Sequence, residues 1–212
     1  MRVYGFYGHK GGQGTTVTAC AFALSLRVPV AVLDVSPVRP GGDVFGVFGT
    51  PEPFKEGALV QVSEFVEVRR VWCGGSVGAL RSELEGLRRR EDLAAVVVDF
   101  GTWVDDEALQ LVDVRILVTR ACYLALRRCS TCRPQPVPDA VALVLEPGRA
   151  LGARDVARVV GVEVGQVTVI PVDPAVARGV DAGLLASRLP RVLVSGLREL
   201  AALVEAAGQV TA

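Results

Sequence analysis

The chain has 212 residues, with 23 basic and 23 acidic side chains and a formal net charge of +0. That length suits one domain with a sizeable core, and the balanced charge excludes a global pull toward nucleic acid or a membrane surface. No charged-then-apolar leader opens the sequence and no apolar run reaches the ~18 residues of a membrane span, so a cytoplasmic protein with reduced cysteines is expected.

Val3–Tyr7 predicts a first strand, and the Ala-rich run Val17–Leu26 predicts a helix with Val17, Ala21, Leu24 and Leu26 on one face and Cys20 buried beside it. Between them lies Gly8-His9-Lys10-Gly11-Gly12-Gln13-Gly14-Thr15-Thr16. Strand, glycine loop, helix is the setting of a phosphate-binding loop, where backbone N–H groups turn toward an anion and the helix start adds its positive dipole end. Pro29–Asp34 is a short apolar run closing on an acid, as in strands buried on both faces of a parallel sheet. Ser36–Ala58 is rich in Pro and Gly and reads as a long loop with room for one helical turn.

Val60–Trp72 predicts one or two short strands, and Ser76–Arg90 a helix with Ser76 as N-cap and Val77, Leu80, Leu84 and Leu87 as its stripe. Ala94–Asp99 is a second Val-rich strand ending on aspartate. Strands follow over Asp113–Thr119, Ala140–Leu145 and Val167–Pro171. Helices follow over Tyr123–Cys129, Ala153–Val160, Ala175–Val180 and Arg191–Ala207, the last with Leu193, Leu197, Leu200 and Val204 on one stripe. The alternation predicts a single doubly wound α/β domain over residues 1–212, with a mostly parallel β-sheet flanked by helices. Ligands bind such sheets at the carboxyl ends of the strands, here the glycine loop, Asp34, Asp99 and Pro171–Asp173.

Lys10-Gly-Gly-Gln-Gly14, Asp34, Asp99, Ile170-Pro-Val-Asp-Pro-Ala-Val-Ala-Arg178 and Val180-Asp-Ala-Gly183 resemble the ParA/MinD group of deviant Walker A ATPases, from Arg2 to about Leu200. The resemblance implies a P-loop domain that binds ATP and Mg²⁺ and dimerises face to face around two nucleotides. It implies that Gly11, Gly12, Gln13, Gly14, Thr15 and Thr16 cradle the phosphates and that Lys10 reaches the partner's nucleotide. Thr16 matches the Mg²⁺-ligating hydroxyl, Asp34 the catalytic acid of the second strand, and Asp99 the Walker B acid. The two acids act on Mg²⁺ through water, and Pro171 and Asp173 lie against the base. An ordinary solvated lysine is the plainer reading of Lys10, and its place in the glycine run argues against it.

Two positions depart from that pattern. The family's second loop lysine falls on Thr15, which removes the cation that tracks the β- and γ-phosphates from within the subunit. Such a charge-assisted contact is worth ~1.5–3 kcal/mol, roughly ten- to hundred-fold in affinity. The second acid of the family's Asp-x-Asp falls on Ser36, a hydroxyl that holds water but is no anion. Asp43 substitutes only if its loop folds back, and Arg39 and Arg120 are the candidate replacement cations.

Cys129-Ser-Thr-Cys132, near Cys122, follows a helix instead of opening one, which favours incidental thiols over redox or zinc chemistry. Arg69-Arg70, Arg88-Arg89-Arg90 and Arg127-Arg128 are candidate phosphate contacts to non-specific DNA, set against the simpler reading of solvated helix faces. Trp72 and Trp103 are expected to pack within the domain. The tail Glu205–Ala212 has no basic residue after Arg198, which gives no support to membrane docking. The leading expectation is a homodimeric, ATP-dependent positioning or partition protein with weak or absent hydrolysis and an unidentified protein partner. A nucleotide-independent localisation scaffold, similar to the pilus-assembly branch of the family, and an active DNA-partition ATPase are the alternatives.

Overall fold

Two Val-rich runs set the centre of the sheet. In the computed structural model, which describes residues 1–36, 43–52, 57–74, 76–132 and 137–207, every residue of β2 (Val30–Ser36) and β5 (Ala95–Asp99) is buried. Such continuous apolar strands need cover on both faces, and helices supply it. The strand order is β3-β4-β2-β5-β1-β6-β7-β8, where β1 is Arg2–Tyr7, β3 Val60–Gln61, β4 Val66–Trp72, β6 Val114–Arg120, β7 Ala140–Leu145 and β8 Val167–Pro171. Among the described residues only β3 and β4 pair antiparallel.

Alternation along the strands divides the core. Tyr4, Phe6, Val32, Val68 and Val97 face one cluster with α1 (Thr15–Leu26) and α8 (Arg191–Ala207), whereas Val3, Tyr7, Leu33, Val71 and Val98 face α3 (Gly78–Arg88) on the other side. The predicted stripes Leu80, Leu84, Leu87 and Leu193, Leu197, Leu200, Val204 are buried, as is Cys20. The remaining helices are α2 (Val44–Phe48), α4 (Asp106–Leu109), α5 (Tyr123–Thr131), α6 (Ala153–Val160) and α7 (Pro174–Asp181).

Some local expectations are corrected. Ser76 does not cap α3: Val77 holds that position, and the Ser76 hydroxyl donates to Cys73 O at 3.4 Å. α4 has no sequence stripe because it is a single turn, held by Asp105 accepting from Ala108 N at 2.8 Å. Trp72 is 41% exposed at the end of β4 and does not pack inside the domain. Arg39 and residues 208–212 of the tail lie outside the described residues. Among the described residues no helix is long and apolar enough to cross a membrane.

Register is what builds the site. Asp34 is level with Asp99 on one side and with Arg70 on the other. Paired residues of parallel neighbours point to one face, and parity puts these three on the face that carries α1. β1 lies between β5 and β6, at the point where the chain's winding changes direction. The carboxyl edge there is where an open α/β sheet leaves a crevice.

Candidate functional site

The glycine loop leaves β1 and enters α1 through two left-handed glycines, Gly12 at φ 74° and Gly14 at φ 91°. A side chain at either would be strained. Gly14 occupies the N-cap and no side chain caps the first turn of α1, which leaves its N–H groups to whatever enters the crevice. The loop is tied down at both ends. Gly8 N donates to Gly101 O at 2.8 Å, and the buried Gln13 accepts from Arg120 N at 3.0 Å through its Oε1. Gln13 thus braces the loop against β6 with its side chain and offers the crevice only its backbone.

A cavity of about 620 Å³ opens over this loop. Its walls bring together residues Lys10 to Val17, Asp34, Ser36, Asp43 and Asp99, with Phe100 to Trp103 along one side. Asp43 is therefore placed on the wall, by the turn that leads into α2. Trp103 is half-buried there, its ring 6.1 Å from that of Phe100. Among the described residues, Lys10 Nζ donates to the neighbouring Gly11 O, at 3.3 Å. Thr15 is buried, and its Oγ1 lies 2.8 Å from where a Cβ on Gly8 would stand, so its side chain turns down into the loop.

The two acids differ in how they are held. Asp99 accepts from Gly101 N at 3.0 Å and from the Thr16 hydroxyl, and burial pushes its carboxyl up to about 6. Asp34 is 1% exposed and receives both Nε (3.1 Å) and Nη2 (2.9 Å) of Arg70 on its Oδ2. Burial still drives its carboxyl above the ordinary carboxylate range, against the pull of Arg70. Arg70 also reaches Glu52 at 3.0 Å and stacks over the Phe45 ring at 5.0 Å. The other oxygen of Asp34, Oδ1, is buried with no hydrogen-bond partner among the described residues.

An unpaired carboxylate oxygen beside an acid with a raised pKa suits a divalent cation or its water shell. Among the described residues no group of three or more His, Cys, Asp or Glu side chains could hold a metal alone. A cation here would need the Thr16 hydroxyl and ligand oxygens as well.

A second cavity, about 320 Å³ and mostly apolar, lies past the end of the loop. Pro171 and Asp173 line it together with Val144, Val176 and Leu197. Asp173 caps α7, accepting from Ala175 N at 2.7 Å. Gly14 and Val17 line both cavities. Arg70 is the site residue that sequence reasoning missed: it read as half of a basic surface pair.

Structural comparison places this arrangement. A ParA family ATPase from Chlorobium tepidum TLS superposes with a TM-score of 0.70 at 17% identity, covering 95% of this chain and 97% of that one. MinD with Mg-ADP from Pyrococcus horikoshii OT3 gives 0.70 at 17% identity, with 100% and 98% covered. The MinC:MinD cell division complex of Aquifex aeolicus gives 0.72 at 12% identity, with 97% and 96% covered. The chain has the fold of the ParA and MinD ATPases. No family model matches the sequence, and no curated protein matches it. At these identities the likeness is one of fold, and the chemistry rests on the side chains described above.

The rest of the sequence-predicted chemistry is dispersed or paired. Arg69 pairs with Glu83, Arg88 with Asp113, and Arg90 with Glu67 and Asp92. Arg127 and Arg128 are exposed on α5. Cys129 sits within α5 and Cys132 at its end, and burial pushes the Cys129 thiol up to about 11, far from a reactive thiolate.

Proposed function

We propose that this chain is a ParA/MinD-like nucleotide-binding protein that positions or partitions DNA or a protein assembly through ATP-dependent dimerisation, with weak or absent ATP hydrolysis. The observation that carries the reading is the cavity over the glycine loop, lined by Asp34, whose Oδ1 has no hydrogen-bond partner among the described residues, and by Gly14 and Val17, which also line the apolar cavity. A triphosphate fits the first and a base the second. Thr16 would hold Mg²⁺, with Asp34 and Asp99 beside it, and the ion would neutralise phosphate charge. This chain's own residues cradle the phosphates with loop N–H groups, and Lys10, half-buried in the cavity wall, serves the neighbouring subunit.

Solved structures of like fold are described as a cell division protein complexed with MinC, a putative plasmid partition protein bound to AMPPNP and an ATP complex of McdA. They support a positioning role. Slow turnover follows from Thr15, which supplies no cation, and from Ser36, which supplies no second anion. Isothermal titration with ATP–Mg²⁺ and a phosphate-release assay test the reading together. Weak binding with little release is expected, and brisk hydrolysis abolished by Asp34→Ala would overturn the hydrolysis part.

One observation favours the second reading, a nucleotide-independent localisation scaffold: Arg70 already neutralises Asp34 from within the chain. A scaffold predicts a dimer indifferent to ATP and to Lys10→Ala, which light scattering distinguishes. The DNA-partition reading ranks third, because Arg69, Arg70, Arg88 and Arg90 are engaged in ion pairs. It requires an ATP-dependent, salt-sensitive gel shift.

A further inference from the structure

The nucleotide reading leaves one cation beside the ligand path without a role. Arg120 ends β6, and its backbone N–H is the donor that holds Gln13, so the root of its side chain is fixed against the glycine loop. The side chain forms part of the wall of the apolar cavity, beside Gly14, Val17 and Thr18. Nη1 donates to Glu146 Oε1 at 2.6 Å, whereas Nε is buried with no acceptor among the described residues. A buried guanidinium N–H left unpaired is a cost that an acceptor on a ligand would remove.

The pair with Glu146 is built to be given up. Glu146 is also bound by Arg149, which donates to its other oxygen, Oε2, from both Nε and Nη2. If Arg120 turns away, Glu146 keeps a cation. Two acids, Asp173 and Asp181, line the same cavity as Arg120, and Asp173 is engaged by Ala175 N. Because Gly14 and Val17 face both cavities, a ligand spanning them passes Arg120 where its anionic part meets its apolar part.

We infer that Arg120 is a nucleotide-contacting residue, the in-subunit cation of this site, acting on the phosphate nearest the nucleoside and not on the terminal phosphates. This rests on the nucleotide reading above. It puts the compensating charge at the opposite end of the phosphate chain from the place that Thr15 leaves uncharged. An arginine there presents a fork of donors to phosphate oxygens, which a lysine cannot copy.

The test is titration calorimetry on the full chain with Mg²⁺–ADP and with Mg²⁺–pyrophosphate. Arg120→Ala is expected to weaken ADP roughly ten- to hundred-fold and to leave pyrophosphate unchanged. Arg120→Lys recovers part of the ADP affinity, and Glu146→Gln, which frees the guanidinium, leaves it equal or tighter. Should Arg120→Ala fail to fold, the Lys and Glu146→Gln variants carry the same comparison. Equal losses for ADP and pyrophosphate would place the effect on the glycine loop and overturn the inference, as would undiminished ADP binding. A wild-type chain that binds neither ligand overturns the nucleotide reading itself, which is a different result from a wild type that binds and a variant that does not differ.

Discussion

Arg70 donates two hydrogen bonds to one oxygen of Asp34, at 2.9 and 3.1 Å, and the other oxygen of that buried carboxylate has no partner among the described residues. The two residues are level on neighbouring strands, so the pair is set by sheet register and not by a flexible loop. Removing one partner of a buried ion pair strands the other charge, and the penalty exceeds what the pair itself contributes. Arg70→Ala is therefore expected to cost on the order of 2–3 kcal/mol, and Arg70→Ala with Asp34→Asn much less than the sum of the single changes. Urea denaturation of the four proteins in this cycle measures it; additive effects would mean that the pair is not coupled.

Asp99 gives a pH dependence of definite sign. Its carboxyl is raised to about 6 by burial, so between the unfolded value, about 4, and about 6 the folded chain binds the extra proton. Stability should fall as pH rises through that window, and Asp34, also raised, adds in the same direction. Asp99→Asn should then be more stable than wild type at pH 7, on the order of 2 kcal/mol, with the gain vanishing below about pH 4. Thermal melts at intervals from pH 4 to 7 check this. A flat difference across the window would show that the carboxyl titrates normally.

These two residues also show what the sequence makes legible. Asp34 and Asp99 stand out because each closes a Val-rich run, and a buried parallel strand has its ligand-facing end there. The glycine loop is legible for a similar reason, since no regular element accommodates Gly11, Gly12 and Gly14 so close together. Arg70 is not legible, because its meaning depends on β4 pairing with β2 in one register, a relation between residues 36 positions apart. Trp72 shows the same limit: its place at the end of β4, invisible in composition, leaves it 41% exposed. In the second cavity Gly14, Arg120, Pro171 and Asp173 carry a sequence signal, whereas walls such as Ala21, Val144 and Leu197 are ordinary core positions on α1, β7 and α8.

The helix after the second strand meets α7 at two glycines. A Cβ on Gly49 would stand 2.3 Å from Gly183 O, and Gly49 itself has φ 68°. Gly49→Ala meets both backbone strain and a collision with main chain, and a destabilisation of about 2–3 kcal/mol is expected. Since Asp43, the N-cap residue of α2, lines one cavity and Asp173, the N-cap residue of α7, lines the other, the change should also weaken ADP binding. Denaturation and calorimetry on the one variant read the two effects, and wild-type stability would show that the helices are not in close contact.

Lys10 and Thr15 make the last prediction, because they separate binding from assembly. Among the described residues, Lys10 is held by a 3.3 Å contact to its neighbour's carbonyl. Lys10→Ala is expected to leave monomer affinity for ADP within about threefold while abolishing ATP-induced dimerisation, a loss confined to the assembled state. Thr15→Lys restores a cation at the start of α1, where the helix dipole already favours anions, and should tighten ATP binding roughly tenfold. Light scattering with and without ATP, run beside calorimetry, distinguishes the two variants. Loss of binding in Lys10→Ala would place that lysine on its own subunit's nucleotide, and an unchanged dimer in both would leave the scaffold reading in possession of the field.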